Sequence, residues 1–575
     1  MSQTPGKGRS MRMNANPAER CAQRGISVVQ WSFRSAIAVY ALIDCWMCRF
    51  SMNPDGISYL DMGDLYWKGN WRIALNSYWS PLYGWLTGFL LRMTKPAMRW
   101  EFPEVHLLNF AILLAALFGF EFFWRELLAS RDIETWELAS LEYAWILGYL
   151  LFACVLLVDE TLALVTPDLL VAAIVFITSG MILRFTRGSM VAASTFLLGV
   201  LLGIGYLAKA AMLPFAVISI ITMLVIAWKQ HLRKSLVAAA TLGFLTVALP
   251  FSTLLSLNMH RPTFGDSARI NQGWLVNGVL PKFRHWQGDR SMPAQHPTRR
   301  LFISPDVYEF ATPVEGTYPV WYDPGYWYAG LDSSVHPARE ILTFVRETNV
   351  IVSHIFRLQK ALVIVVLMMI LLSDGIGSWW RRLMRLWPIL IPSTLVILMY
   401  AIVHWEERYT WGVVVVLFGA AMVSTVFSDE GQRTRAFRTA ALILALLTIS
   451  WIPESIIRHN ARSVEEQQQV LVAEQLHAMG IEPGDHVALI GDGIHAYWAR
   501  LAKVRIVAEV PHSLDSQASD SAAVFWNSSP ERKQAVLDVL RSTGAKAVVT
   551  DTPPSTVPPG WVSMGNSERF VYFFR

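Results

Sequence analysis

Long apolar runs with short polar breaks set the pattern of this chain. The first, "ISVVQWSFRSAIAVYALIDCWM", starts at Ile26. Further runs of spanning length lie near 105–124, 140–158, 165–184, 190–208, 211–228, 236–256, 350–372, 386–403, 411–427 and 438–454. Charges are rare in them, and a helix is the form that satisfies its own backbone in lipid. They predict about eleven transmembrane helices. The run "PLYGWLTGFLLRM" (81–93) is too short to cross comfortably and is expected to re-enter the membrane or lie on its surface.

After residue 455 the period changes. "HVALIGD" and "VRIVAEV" read as strands around the helix "HAYWARLA". "SPERKQAVLDVLRSTG" is an amphipathic helix ending in glycine, and "AKAVVTD" and "RFVYFFR" read as later strands. This alternation predicts a small, partly parallel α/β domain. Gly491, Gly493 and Ala496 with Glu509 form a G-x-G-x-x-A pattern with an acid downstream. The segment is short for a dinucleotide fold, so the glycines are read as shaping a strand-to-helix turn.

Charge placement gives the expected sidedness. Lys7, Arg9, Arg12, Arg20 and Arg24 precede the first span, and "LRFTRG", "WKQHLRK", "WWRRLMR" and "GQRTRAFR" lie between later ones. An N-terminus in the cytoplasm puts all of these clusters inside, as positive-inside placement requires. The first run is too long for a signal-peptide core and has no small-residue cleavage site after it, so it is expected to be an uncleaved span. The reading is therefore a multi-pass protein of the inner (cell) membrane. It comprises a basic cytoplasmic tail (1–25), a transmembrane region (26–455) with outer loops 49–80 and 257–345, and an extracytoplasmic α/β domain (456–575).

Composition sharpens this. The chain is 53% hydrophobic and 16% charged, with a mean hydropathy of +0.36 and 24 tryptophans. Soluble domains carry about a quarter charged residues, and Trp collects where lipid meets water. The net charge of +5 is small for this length and argues against nucleic acid as a partner. The outer loop 257–345 is rich in Pro, Gly, Trp and Tyr, as in "TYPVWYDPGYWYAG". Such aromatics serve an interfacial belt or stack on sugar rings. Cys45 and Cys48 form a C-x-x-C without another outer-face cysteine to relay electrons, which disfavours a redox role.

Ionisable residues recur at the outer ends of the expected spans. Asp55, Tyr59, Asp61 and Asp64 follow the first; Asp159 and Glu160 end the third; Asp168 opens the fourth. Lys209 interrupts "GIGYLAKAAMLP", and His404, Glu406, Glu407, Arg408 and Tyr409 form a hairpin between two late spans. Such groups at a membrane edge point to function. Sugar transfer from a polyprenyl phosphate needs this set. The lipid tail stays in the bilayer, a cation neutralises the leaving phosphate, and a carboxylate takes the proton of the attacking hydroxyl. Asp55, Asp61 or Asp168 could be the base, with Lys209 and Arg408 on phosphate. The bland alternatives are a helix cap for Asp55, snorkelling for Lys209, and pairing of Arg408 with Glu406 or Glu407.

Four stretches in order resemble the GT-C-fold membrane glycosyltransferases, the superfamily of protein O-mannosyltransferase and aminoarabinose transferase relatives. They are "NPDGISYLDMGDLYWKGNW…YWSPLYGWL", "VDETLALVTPDLLVAAIVF", "LLGIGYLAKAAMLPFAVI" and "HWEERYTWGVVVV", bracketing roughly residues 27–427. The resemblance implies a GT-C-like polytopic helical fold with Asp55 as catalytic base and Asp168 as the second outer acid. Tyr59, Asp61, Lys209, Glu407, Arg408 and Tyr409 are then expected on the substrates. It also implies an inverting reaction, a polyprenyl-phosphate-linked sugar donor, membrane lipid as a partner, and a glycan, lipid or protein acceptor. Gly56 follows Asp55 where the family often has a second acid. The one cofactor left open is a divalent cation, which some members use: Asp61 and Asp64, three apart, could help bind one, but two hard ligands do not make a site.

The alternatives are a transporter or flippase for a lipid-linked or small polar solute, and a membrane scaffold with a partner-binding outer domain. A transporter predicts repeated halves and charges within the spans. The sequence shows no repeat, and its charges sit at span ends.

Overall fold

The computed structural model describes residues 17–131, 136–157, 161–278, 299–310, 315–512, 520–551, 554, 556–565, 567 and 569–574. Asp159, Glu160 and "PKFRHWQGD" lie outside them. The first apolar run is α1 (Pro17–Met47). Then come α2 (Pro54–Trp67), α3 (Trp71–Ala74), α4 (Pro81–Thr94) and α5 (Glu101–Leu128). The bundle continues with α6 (Leu138–Leu156), α7 (Asp168–Thr186), α8 (Ala192–Ala208), α9 (Met212–Lys229) and α10 (Lys234–Asn258). The outer loop holds the short α11 (Ser267–Asn271), α12 (Pro319–Tyr322) and α13 (Pro324–Trp327). The second half has α14 (Pro337–Leu358), α15 (Lys360–Leu371), α16 (Ile376–Arg385), α17 (Trp387–Val403), α18 (Trp411–Val423) and α19 (Glu430–Ala478).

Among the described residues, seven helices are long and apolar enough to cross a membrane. The number is nine if each of two bent pairs, α14–α15 at 81° and α16–α17 at 86°, is one span. The apolar helices α8 and α18 are shorter. Every expected apolar run is thus helical. Arg34 and Glu121 are charged positions within two of these runs, and they meet: Nε of Arg34 donates to Glu121 Oε1 at 2.7 Å, and Tyr149 adds a hydroxyl donor at 2.6 Å. Paired and hydrogen-bonded, the two charges are tolerated at that depth.

The short segment 81–93 is a helix, α4, packed along α2. Glycine lets the two backbones approach: a Cβ on Gly63 would stand 2.5 Å from the Gly84 carbonyl oxygen and 3.0 Å from Gly88 Cα. Gly63→Ala is therefore expected to cost ~1–3 kcal/mol through overpacking, read as a lowered thermal midpoint in detergent. Gly377→Ala, where a Cβ meets nothing within 4 Å, serves as the neutral control.

One boundary differs from the sequence reading. The expected span 438–454 does not end near 455; α19 runs unbroken for 49 residues, with Pro453 inside it. The sequence beyond Pro453 has no glycine until Gly480 and is rich in Glu, Gln, Ala and Leu, all strong helix formers. Gly480, at φ 90°, ends it, as a left-handed residue after a helix does.

The tail folds around a seven-stranded sheet with strand order β1-β2-β4-β3-β5-β7-β6. β3 (His486–Gly491), β4 (Arg505–Pro511), β5 (Ala547–Thr550) and β7 (Phe570–Phe573) match the expected strands, and α20 (Tyr497–Leu501) and α22 (Pro530–Ser542) the expected helices. A further short helix, α21 (Ser521–Asn527), and strand, β6 (Val562–Ser563), complete the tail. β3 lies parallel to both β4 and β5. The sheet also takes β1 (Arg300–Phe302) and β2 (Val307–Glu309) from the outer loop, with β2 antiparallel to β4. Loop and tail are therefore one folded body, which no local sequence pattern reveals.

Candidate active site

Two loops are stapled together before any charge is placed. His106, buried on α5, sets one ring nitrogen 2.8 Å from the Leu162 carbonyl oxygen and the other 2.8 Å from that of Ser51. Asn109, one turn on, donates to the Leu164 carbonyl at 3.0 Å. Asn53 accepts from the Val165 amide at 2.8 Å. The segments leading into α2 and α7 are thus held side by side. Each helix presents an aspartate in its first turn, Asp55 behind Pro54 and Asp168 behind Pro167. A carboxylate is favoured at that end of a helix dipole.

The cations arrive from elsewhere. α8 stops at Lys209, whose backbone turns extended at φ −154°, and its Nζ lies 2.6 Å from Asp168 Oδ1. The hairpin between α17 and α18 tightens into a 3₁₀ turn over Glu407–Tyr409. From it Arg408 Nη2 donates to Asp55 Oδ2 at 3.0 Å, and Nε donates to Glu406 Oε2 at 2.6 Å. The same Nε is 3.8 Å from Asp168 Oδ2. Asp55, Asp168, Lys209 and Arg408 therefore form one ionic cluster from four distant segments. Burial lowers the Arg408 affinity for its proton, but the neighbouring Asp55 and Asp168 outweigh this and hold the guanidinium above its ordinary range. Burial raises Glu406, yet His404 and Arg408 prevail and keep it at about 2.

The two aspartates differ. Asp168 has a side chain 1% exposed, with Oδ1 taken by Lys209 and Oδ2 by the Thr166 hydroxyl at 2.9 Å. The Asp55 side chain is 19% exposed and lines two cavities. The larger, of about 440 Å³, also holds Tyr59, Asp168, Lys209, Arg408 and Tyr409, a volume suited to a small ligand. The smaller, of about 280 Å³, is lined by Asn53, Pro54, Asp55, Leu164, Glu406, Glu407 and Arg408.

Aromatic rings wall the larger cavity. Trp274 and Trp321 stack at 8° with centroids 5.6 Å apart. Tyr78 and Trp79 stand edge to face at 4.5 Å. Tyr59 packs at 5.3 Å from both Trp79 and Tyr83. The Trp321 indole donates to Asp55 Oδ1 at 3.3 Å. Tyr409 lies under Lys209, whose Nζ is 3.5 Å from its ring centroid, and is 4.9 Å from the Tyr400 ring. Trp321, Trp274, Tyr78, Trp79 and Tyr400 were not singled out by sequence. For Tyr78, Trp79 and Trp321 the signal was the aromatic density of "NSYWS" and "TYPVWYDPGYWY", which does not say which rings face inward; Trp274 in "NQGWLV" and Tyr400 in "VILMYAIV" stand outside both stretches.

Two expected substrate residues lie off the larger cavity. Glu407 turns to His354 on α14, with Oε2 2.7 Å from Nε2, and reaches only the smaller cavity. Asp61 is buried almost two turns beyond Asp55 on α2 and pairs with Arg500 of the tail at 2.8 Å. Asp64 takes the same guanidinium at 2.9 Å. A cation therefore stands where a metal bridging Asp61 and Asp64 would sit, and this pair does not fit one. Among the described residues no three His, Cys, Asp or Glu side chains gather as metal ligands. The glycine fingerprint of the tail is filled by protein. A Cβ on Gly493 would stand 2.5 Å from the Tyr318 ring, and the Tyr318 hydroxyl donates to Glu509 Oε2 at 2.8 Å. Cys45 and Cys48 are buried and unbridged.

The sequence matches no protein-family model, and no curated protein matches it. Solved structures share its fold. The chain is similar to ArnT from Cupriavidus metallidurans in the apo state, at 12% identity and a TM-score of 0.50, over 95% of this chain and 98% of that one. For the same protein bound to undecaprenyl phosphate the identity is 12% and the TM-score 0.52, over 94% and 97%. The apo Archaeoglobus fulgidus oligosaccharyltransferase is a weaker likeness, at 12% identity and a TM-score of 0.45, over 89% of this chain and 69% of that one. What is shared at these identities is architecture: a polytopic helical GT-C fold with a small C-terminal sheet domain.

Proposed function

We propose that this chain is an integral membrane glycosyltransferase. It moves a sugar from a polyprenyl-phosphate-linked donor to an acceptor hydroxyl at the extracytoplasmic end of the bundle. The observation that carries the reading is the convergence of Asp55, Asp168, Lys209 and Arg408 on one aromatic-walled cavity. The likeness to ArnT, one of whose structures holds undecaprenyl phosphate, supports it. So does the position of the cluster at helix ends, since a transporter would place its site within the spans.

The chemistry follows from the two cavities. The phosphate sits against Lys209 and Arg408, and the sugar lies along the Trp274–Trp321 face, as sugar rings do on aromatics. Asp168 keeps Lys209 in place rather than taking a proton, because its side chain is 1% exposed and lies off the smaller cavity, whereas Asp55 is 19% exposed and lines both. The acceptor reaches Asp55 through the smaller cavity. Asp55 removes the hydroxyl proton as the oxygen attacks the anomeric carbon. The bond to the phosphate oxygen breaks on the opposite face, which inverts the carbon. The electron pair leaves with the polyprenyl phosphate, whose growing charge Lys209 and Arg408 neutralise. The smaller cavity carries Asp55, Glu406 and Glu407 against Arg408 alone, so it suits a neutral or cationic acceptor.

The test compares envelope glycolipids and glycoproteins by mass in cells with and without the chain. One lipid or protein species is expected to lose one sugar mass when the chain is removed. Identical spectra in every fraction would overturn the assignment.

A further inference from the structure

α2 is gripped at two places. Its first turn meets Arg408 through Asp55. Its middle is held from the tail domain by Arg500 on α20, a residue only 3% exposed. Arg500 Nη1 lies 2.8 Å from Asp61 Oδ1 and 2.9 Å from Asp64 Oδ2, while Nε donates to Glu101 Oε1 at 2.7 Å. Lys503 adds a second contact to Glu101. Asp61 also accepts from the Thr317 amide at 2.6 Å and its hydroxyl at 2.9 Å. One carboxylate thus ties together α2, the tail domain and the outer loop.

The loop carries that tie onward. Tyr318 is fastened to Glu509 on β4. Trp321 then accepts at its carbonyl from Ser58 Oγ at 3.0 Å and Trp79 Nε1 at 3.1 Å, and its indole donates to Asp55. α4 holds another face of α2 by close glycine contacts and by the ring pairs Tyr59–Tyr83 and Tyr66–Trp85. The guanidinium fork adds fixed directions of contact from the tail domain. Buried ion networks add little net stability over apolar packing, and fixing one arrangement is their best-attested use.

We propose that Arg500 is a positioning residue: from the tail domain it sets the register of α2, and through Asp61 and Thr317 that of Trp321, so that Asp55 faces the reacting hydroxyl. The consequence for turnover rests on the glycosyl-transfer reading; the clamp itself does not. The domain is then part of the catalytic machine rather than an appended module.

Hydrogen exchange on the full chain in nanodiscs tests this, with Arg500→Gln, Arg500→Lys and Tyr318→Phe. In Arg500→Gln, exchange over 54–67 and 315–328 is expected to rise by roughly tenfold or more, while β3, β4, β5, α6 and α7 keep their protection. Turnover of the undecaprenyl-phosphate-linked donor is expected to fall about 100-fold, the cost of a misplacement near 1 Å, with donor KM nearly unchanged. Arg500→Lys recovers part of both effects, and Tyr318→Phe raises exchange over 315–328 alone. If Arg500→Gln does not fold, the other two variants decide on the same readouts. Unchanged protection over 54–67, or equal loss of protection in the sheet and the membrane helices, overturns the proposal. Raised exchange over 54–67 beside a wild-type chain that transfers no sugar strikes the assigned function and leaves the clamp standing.

Discussion

Asp55→Asn is expected to reduce sugar transfer by about 10²–10⁴-fold, the usual contribution of a positioned base, with membrane insertion intact. The substitution keeps the shape of the side chain and one of the two acceptor oxygens, which now take Arg408 on Oδ2 at 3.0 Å and the Trp321 indole on Oδ1 at 3.3 Å. What it removes is the lone pair that takes the proton. Asp168→Asn separates the roles of the two acids. That residue is 2% exposed and bonded to Lys209 and Thr166. Its loss is expected to weaken donor binding by releasing Lys209, where Asp55→Asn lowers turnover. The comparison is made from kcat and KM for the two variants. Equal turnover in wild type and Asp55→Asn would remove Asp55 as the base.

Arg408→Gln is expected to lose both binding and chemistry. Transfer should fall about 10²–10³-fold from the missing charge on the leaving phosphate. The protein should also be less stable, because Asp55, Asp168 and Glu406 would be left facing one another. Removing one member of a buried ion cluster costs about 3–5 kcal/mol; with the Arg408 side chain 14% exposed, the lower end is expected. Arg408→Lys keeps the charge but not the fork that reaches Asp55 and Glu406 with separate nitrogens. It is expected to recover stability more than activity. Thermal midpoints in detergent, measured beside transfer rates, separate the two effects.

Much of this layout was legible from the sequence because lipid imposes strong rules. A run such as 165–184 has few ways to fold, and a charge at its edge, such as Asp168, must face water or a partner. Asp55, Tyr59, Asp168, Lys209, Arg408 and Tyr409 could therefore be expected on one cavity, and the structure gathers them there. Asp61 and Glu407 could not be separated from them in this way. Each lies within a few residues of a cavity residue, and the helical turn of α2 or the 3₁₀ turn of the hairpin alone sends it elsewhere. The recruitment of β1 and β2 into the tail sheet was hidden for a different reason. Strands of three residues carry no periodic signal, and β4, which β2 joins, is about two hundred residues away. The Arg500 clamp was hidden likewise, since pairing across such a distance is written in three-dimensional packing, not in spacing.

Titration of the purified chain with undecaprenyl phosphate tests the central claim most directly. Saturable binding is expected, unchanged in Asp55→Asn and weakened about 10–100-fold in Lys209→Ala, the loss of one charge-assisted contact. Undiminished affinity in both Lys209→Ala and Arg408→Gln would contradict a phosphate seat at these two residues.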